Sequence, residues 1–474
     1  MIMRYLLALL AMAWLSSATA GRLYGDSFEV QVLKPLFAPA TVGGPYQLPA
    51  GPAVDQLNWL LMKIQSGAAL TQGEYDAHFD ISYGYPFVDT ANFIAAIQAS
   101  YPNAVVTDVI AITPVVLTVL IDTPNTGAPY GFLTLRAHYT GGKKILSLGV
   151  SGYSSVQYAD DHARNLAQSV TQFSTLSTSP ALLVARIGSN NQCTPVVQTN
   201  AASLRATASI FKLWIMGAVA RAVTNGTITI DQMVPMVAEK LALAGTINSE
   251  PVGTPFPVSD LSELMIGISD NTATDLLHGL VGRSLIDQVV TDFGVAQPLV
   301  LTPLLGISEQ FSLYLSFPLS TAMSYVNGTE VFQENFLQTQ IAPLLPVTGG
   351  PYANTSVLTA GTWRATPMDI CAAFAHLRHL PQGTDAMDLV NHAMGAGVAQ
   401  PDVRNHWDRV WYKGGSLSSG AGYHVLTHAW MLEDTGQDPY VVVAMSNSDA
   451  GGIDQYRVQS IAGRILELVR TTTP

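Results

Sequence analysis

The chain has 474 residues, 48% hydrophobic and only 12% charged, and its 22 basic and 34 acidic residues leave a formal net charge of -12. Such a composition buries a large core, excludes global disorder, and offers no basic patch dense enough to displace counterions from nucleic acid. The only two cysteines, Cys193 and Cys371, lie far apart, which excludes a C-x-x-C zinc or redox motif.

Arg4 supplies a short positive region, Tyr5 to Leu15 is uninterrupted apolar sequence, and Ser16-Ser17-Ala18-Thr19-Ala20 ends in a small-x-small pattern. Residues 1–20 therefore read as a secretory signal peptide cut after Ala20. The competing reading is a retained transmembrane anchor, against which the apolar run is shorter than the ~20 residues that span a bilayer. The nearest later run, Ile210 to Val223, is interrupted by Lys212 and Arg221. The expectation is a periplasmic or secreted protein with no stable membrane anchor. In an oxidising compartment Cys193 and Cys371 can pair, or remain as two buried thiols.

Residues 21–49 are rich in Pro and Gly and read as an irregular lead-in. Leu57 to Ile64 repeats apolar residues at helical spacing. Val105 to Ile121 is β-branched and apolar with Pro114 inside it, which predicts strand, interruption, strand. Alternation at Leu133, Leu135 and Ala137, and again at Leu146, Leu148 and Val150, flanks Thr140-Gly141-Gly142-Lys143 and predicts a hairpin. Residues 50–175 thus form a small α+β domain. The uncharged, Ser- and Thr-rich stretch Ser169 to Pro180 marks its end. From residue 180 to 474, strands at Ala181 to Ile187, Tyr423 to Leu432 and Tyr440 to Met445 bracket a helical middle, and Val458 to Val469 is a final helix. That order predicts a mixed α/β layer whose ends meet in one sheet.

Three short motifs fall in this second region. Ser209-Ile210-Phe211-Lys212 opens an apolar helical run. Positions i and i+3 share a helix face, so hydroxyl and amine can approach. A lysine among apolar neighbours is desolvated, and its lowered pKa lets it take the serine proton. Ser269-Asp270-Asn271 sits just before a predicted helix, where the same residues also suit an N-cap. In the catalytic reading Ser269 passes a proton to the leaving group and Asn271 orients substrate. Lys413-Gly414-Gly415-Ser416 precedes the strand from Tyr423. Its glycines allow close backbone approach, Lys413 offers charge to a carboxylate, and the Ser416 N–H can join that of Ser209 as an oxyanion hole.

Alone each motif is weak. In this order S-x-x-K, S-D-N and K-x-G resemble the signature of class A β-lactamases and penicillin-binding proteins. Ala365-Thr366-Pro367-Met368-Asp369 is similar to the start of a late helix in that family. The stretches Ser209 to Gly217 and Phe256 to Gly282 look similar to two-domain β-lactamase-like proteins of clavam-biosynthesis clusters, which carry a steroid-isomerase-like domain ahead of the hydrolase. The resemblance implies a mixed α/β β-lactamase/penicillin-binding-protein-like domain preceded by a small α+β NTF2-like domain with a packing or gating role. It also implies a serine hydrolase that takes a small β-lactam, amide or ester through a Ser209 acyl-enzyme, without cofactor or metal. An esterase or penicillin-binding-type peptidase on the same site is the first alternative, and an inactive β-lactam sensor the second.

The departures are specific. Gly414 stands where the family has Thr or Ser, so a hydroxyl contact to substrate is lost. The family's deacylating glutamate falls in the stretch matching Leu301 to Phe311, where Glu309 is the only acid. A carboxylate-binding arginine is expected near the third motif, and Arg457 is the candidate. The spacing from Ser269 to Lys413 leaves room for inserted structure around Ser312 to Ser356. His376 and His379 lie one turn apart without the Cys or Glu partners a metal site needs.

Overall fold

The computed structural model describes residues 48, 51–102, 104–122, 131–152, 156–347 and 357–471. The signal-peptide reading and nearly all of the lead-in lie outside the described residues. Among the described residues no helix is long and apolar enough to cross a membrane.

The first region packs helices α1 (Pro52–Ser66), α2 (Gln72–His78) and α3 (Phe87–Ser100) with a four-stranded sheet. Pro52 opens α1 and Gly67, at φ 62°, closes it. Its proline lacks an N–H that the first turn would leave unpaired, and its glycine takes the left-handed turn without a Cβ clash. Strands β1 (Val105–Ile112), β2 (Val116–Asp122), β3 (Gly131–Ala137) and β4 (Ile145–Gly152) run antiparallel in sequence order. Pro114 falls in the β1–β2 turn and Gly141-Gly142, both at positive φ, in the β3–β4 turn, as the sequence predicts. One sheet face, including Val109, Leu117, Val119 and Leu133, packs on Leu57, Leu60, Ile94 and Ile97 of the helices.

The boundary expected within Ser169 to Pro180 is not a linker over its first half. Leu166–Phe173 is a helix, α4, whose Asn165 and Gln168 cap each other reciprocally. The apolar spacing of Val170 and Phe173 drives both into a core shared with Val458, Ile461 and Ile465 of the final helix. This segment packs with the second region, and its Ser and Thr residues lie around an amphipathic stripe.

The second region is a mixed α/β body. Strands β5 (Ser179–Ile187), β6 (Cys193–Thr199), β7 (Arg409–Ser419), β8 (Gly422–Glu433) and β9 (Tyr440–Asn447) form one antiparallel sheet in the order β7-β8-β9-β5-β6. The chain's early and late strands meet at the β9–β5 pair, for example Val443 opposite Leu183. The sheet has two apolar faces. Leu183, Ala185, Val441, Val443 and Met445 face the helical body around α5 (Lys212–Thr224). Leu182, Val184, Val442 and Ala444 face α12 (Gln455–Thr471) and, with it, Ile110 and Leu120 of the first region. Helices α6 (Val258–Gly267), α7 (Asn271–Val281), α8 (Arg283–Asp292), α9 (Ile307–Ser316), α10 (Pro367–Arg378) and α11 (Asp385–Met394) build the body around α5. Short helical pieces fill residues 319–344, within the stretch expected to hold inserted structure. Thr366 and Asp369 form the capping box of α10 with Pro367 at its first position. A disulfide, Cys193–Cys371, ties β6 to α10 across a sequence separation of 178.

Candidate active site

Ser209 lies on a single 3-10 turn, Ala208–Phe211, that runs directly into α5. The helical run predicted from Ile210 is therefore tighter at its first turn. Ala208, the first residue of that turn, takes φ 44°, a left-handed conformation costly for a residue with a Cβ. Several contacts hold that turn. The Thr207 N–H donates to the Trp363 carbonyl at 2.9 Å, the Thr427 hydroxyl donates to the Thr207 carbonyl at 2.9 Å, and Phe211 stacks on Trp363 with centroids 4.0 Å apart. Thr207, Trp363 and Thr427 carry no motif, and only the fold reveals their part in the site.

Lys212 is fully buried, and its Nζ donates to the Ser269 carbonyl at 2.6 Å, the Ser269 hydroxyl at 3.1 Å and Asn271 Oδ1 at 2.9 Å. Lys413 on β7 is also fully buried, and its Nζ donates to the same Ser269 hydroxyl at 3.0 Å and to the Gly414 carbonyl. One hydroxyl thus sits between two buried amines. Neither lysine forms an ion pair among the described residues. Burial brings the Lys212 ammonium down to about 7, with Asp270 and Asp275 pulling the other way. Burial, with the neighbouring Lys212 charge, holds Lys413 well below the usual lysine range. Ser209 is half-buried, and its Oγ makes no hydrogen bond among the described residues.

Gly415 explains how β7 reaches Ser209. A Cβ there would lie 2.6 Å from the Ser209 backbone nitrogen and 2.7 Å from the Thr207 carbonyl oxygen. Only glycine permits this approach. Ser416 follows it in β7, opposite Leu426. At Gly414 the space for a side chain is taken by the Tyr412 hydroxyl, which bonds His428 Nδ1 at 2.7 Å. The glycine departure at this position is thus dictated by its neighbour two residues back on the same strand face.

The second motif is fixed from several sides. Ser269 takes φ 58°. Asp270, buried, accepts from the Ala273 N–H at 2.7 Å and the Ile247 N–H at 3.0 Å, so it caps α7 and ties the turn to a neighbouring segment. Desolvation pushes its carboxyl above the usual range, and these N–H donors oppose the shift. Asn271 Nδ2 donates to the Leu243 carbonyl at 2.7 Å, which aims Oδ1 at Lys212. Asp270 caps α7, as the capping reading expects, while Ser269 meets both lysines and Asn271 meets Lys212.

Two expected residues stand elsewhere. Glu309 is the third residue of α9, where it accepts from the Gly306 N–H at 2.7 Å and pairs with Arg283 at 2.6 Å. Both carboxylate oxygens are engaged, and none of these partners belongs to the lysine cluster. The described stretch Leu301 to Gly306 carries no acid. Arg457 is held at the start of α12 by Asp160 at 2.5 Å and Asp161 at 2.9 Å, and its guanidinium covers Tyr158. Its position early in a late helix matches the expectation, and its guanidinium is engaged by the two carboxylates of residues 160–161. Among the described residues no group of His, Cys, Asp and Glu is arranged to hold a metal ion.

Fold and site together define a mixed α/β body in which Ser209, three residues before Lys212, packs by its backbone against the edge strand that carries Lys413, and Ser269 bridges the two lysines. Residues 168–324 match the model of the Beta-lactamase enzyme family. Comparison with curated proteins yields no match. Similar solved structures include a beta-lactamase from Sphaerobacter thermophilus DSM 20745 (TM-score 0.45, 18% identity, covering 64% of this chain and 94% of that one). A beta-lactamase from Chitinophaga pinensis DSM 2588 gives TM-score 0.44 at 16% identity, covering 65% of this chain and 99% of that one. PBP-A gives 0.41 at 17% identity, covering 65% and 96%.

Proposed function

We propose that the protein is a serine hydrolase of the class A β-lactamase type that forms an acyl-enzyme on Ser209 with a β-lactam or a related amide or ester. The observation that carries this reading is the Ser269 hydroxyl held at 3.1 and 3.0 Å between two buried lysines that form no ion pair among the described residues. Neutral Lys212 takes the Ser209 proton as Oγ attacks the carbonyl carbon. The N–H groups of Ser209 and Ser416 receive the oxyanion, and each such donor is worth ~3 kcal/mol in the transition state. As the C–N or C–O bond breaks, the proton passes from Lys212 through Ser269 to the leaving atom. Asn271 orients the substrate, and Lys413 in its protonated form attracts its carboxylate, with Gly415 giving clearance.

Deacylation is the weak step in this scheme. With Glu309 engaged by Arg283 and Gly306, no carboxylate is left in residues 301–311 to activate water. The acyl-enzyme therefore persists, as in a penicillin-binding protein, and turnover is slow. We also read the chain as exported, on the Arg4-led apolar run and small-x-small pattern of residues 1–20; the Cys193–Cys371 disulfide is in keeping with an oxidising compartment. Helices packed over a four-stranded antiparallel sheet support an NTF2-like first domain.

Intact-mass spectrometry after incubation with benzylpenicillin and with a chromogenic cephalosporin tests this function. The expected result is a stable adduct on the unsubstituted protein, absent from Ser209→Ala, with slow cephalosporin turnover. Turnover of p-nitrophenyl acetate without any β-lactam adduct would make the protein an esterase on this site. No adduct and no turnover would leave the sensor reading and end the enzymatic one.

A further inference from the structure

The first region grips the segment that positions Ser269. Thr246–Ser249 is a short 3-10 turn packed beside the second motif, and the Ile247 N–H inside it donates to Asp270. Both ends of that turn are held from the β3–β4 hairpin, over a hundred residues earlier in the chain. At the front, Arg136 of β3 donates to the Thr246 carbonyl, and at the back to the Ser249 hydroxyl at 2.8 Å. Directly after the turn, the buried Glu250 accepts from the Tyr139 N–H at 2.8 Å and the Thr140 N–H at 3.0 Å. The same carboxylate meets the Thr140 hydroxyl at 2.5 Å and His138 Nδ1 at 3.0 Å.

A second line of contact reaches the other side of the motif. The Tyr139 hydroxyl donates to Asp260 at 2.8 Å, and its ring packs on Phe256 with centroids 4.5 Å apart. Asp260 lies in the first turn of α6, and α6 runs straight into Ser269. The hairpin therefore holds both the helix that enters the Ser269 turn and the segment that braces Asp270 within it. The turn needs bracing. Ser269 is a non-glycine residue at φ 58°, a conformation that persists only where surrounding contacts over-determine it.

We infer that Arg136 and Glu250 are positioning residues for Ser269, and that the first domain serves the reaction by fixing the hydroxyl between the two lysines. This inference rests on the proposed role of Ser269 in acylation. None of the hydrogen bonds of either residue reaches Lys212 or Lys413, so both act through Thr246–Ser249 and Asp270. The reach is short: Arg136 to Thr246, Ile247 to Asp270, and Asp270 to its neighbour Ser269. A displacement of the hydroxyl by an ångström breaks one of its two lysine contacts, and misplacement of that size is enough to slow a proton relay.

The test compares Arg136→Met, Arg136→Lys, Glu250→Gln and Ser269→Ala in the full-length protein. Pre-steady-state acylation by a fluorescent penicillin and turnover of p-nitrophenyl acetate are read beside the thermal midpoint. Arg136→Met and Glu250→Gln are each expected to slow acylation about tenfold with KM unchanged, while Arg136→Lys retains most of the rate. A purely structural role would lower the midpoint and leave the rate per folded molecule intact; that result overturns the inference. Glu250→Gln gives the same reading if Arg136→Met does not fold. Ser269→Ala separates the two claims. If it acylates at full rate, the proposed function of Ser269 fails. If it is slow while folded Arg136→Met and Glu250→Gln are at full rate, only the positioning inference fails.

Discussion

Two buried amines around one hydroxyl make protonation the deciding variable at the residue scale. Lys212 carries its proton below about 7 and cannot accept another, so the acylation rate is expected to rise with pH through that value. Lys212→Met should remove the rising limb and lower the rate by about 10²–10⁴, the usual range for a lost general base. Stability follows the same sign. Between about 7 and 10.5 the unfolded chain binds a proton that the folded chain does not, so this group makes folding more favourable as pH rises across that window. A flat pH–rate profile in the unsubstituted protein would remove Lys212 as the base. Gly415→Ala is a second test at this scale. Its Cβ has no room against Ser209 and Thr207, so the strand must move away, and acylation should fall at least tenfold with KM little changed. The residues of the candidate serine–lysine cluster could be singled out in the sequence because each motif is a short-range pattern: a pair at i and i+3, a capping triplet, a glycine pair after a lysine. The ion pairs of Arg457 were not legible, because a place on a helix says nothing of which carboxylate that helix will meet. Arg136 left no signal, since an arginine in an alternating strand reads as a solvated position.

At the scale of elements, helix starts carry much of the polar chemistry. The N-terminus of α9 is capped twice, by Glu309 on the Gly306 N–H and by the buried Asp275 on the Ile307 N–H at 2.6 Å and the Ser308 N–H at 2.9 Å. Leu304, just ahead of α9, is tied by its N–H to Asp287 and by its carbonyl to His278. These bonds hold the stretch that would carry a deacylating acid in the resembled family. Desolvation raises Asp275 to about 6, against the pull of its two N–H donors. Between about 4 and 6 the folded chain therefore holds a proton that the unfolded chain has released, and stability contributed here falls as pH rises through that window by about 3 kcal/mol. Asp275→Asn should flatten that fall in urea titrations between pH 4 and 6, while lowering stability at pH 4 by loss of one acceptor. An unchanged pH slope would assign the fall to Asp108 or Asp287, which burial also raises to about 6. Glu309 shows why sequence left its role open. A third-position acid is the ordinary mark of a capped helix, and only the Arg283 contact decides that it is also a paired one.

The whole molecule is joined at more than the chain linking its two regions. The Val398 N–H donates to the Ile110 carbonyl, Arg404 donates to the Val109 carbonyl at 2.8 Å, and Asp108 accepts from the Asp402 N–H at 2.7 Å. The outer edge of the first sheet is thus bonded to the segment leading into β7, the strand that bears Lys413. Strands β1 to β5, β8 and β9 and the first and last helices were legible from periodicity, whereas α2, α3 and α4, β6, and β7 with Lys413–Ser416 inside it rather than in a turn were not; nor was this docking, because hydrophobic alternation does not say what a sheet's second face will meet. The disulfide was equally open in the sequence, where two cysteines allow a bond without requiring it. Its stabilisation comes chiefly from closing a long loop in the unfolded chain, and a separation of 178 residues corresponds to about 5 kcal/mol in the chain-entropy description. That loop contains Ser209, Lys212 and Ser269 but not Lys413. Cys371→Ser should therefore lower the guanidinium midpoint by a stability loss of about 3–5 kcal/mol, and dithiothreitol should produce the same loss in the unsubstituted protein. Acylation of the surviving folded fraction should be unaffected, because neither cysteine adjoins the lysine cluster. Equal midpoints with and without the reductant would show that the bond is not formed in solution.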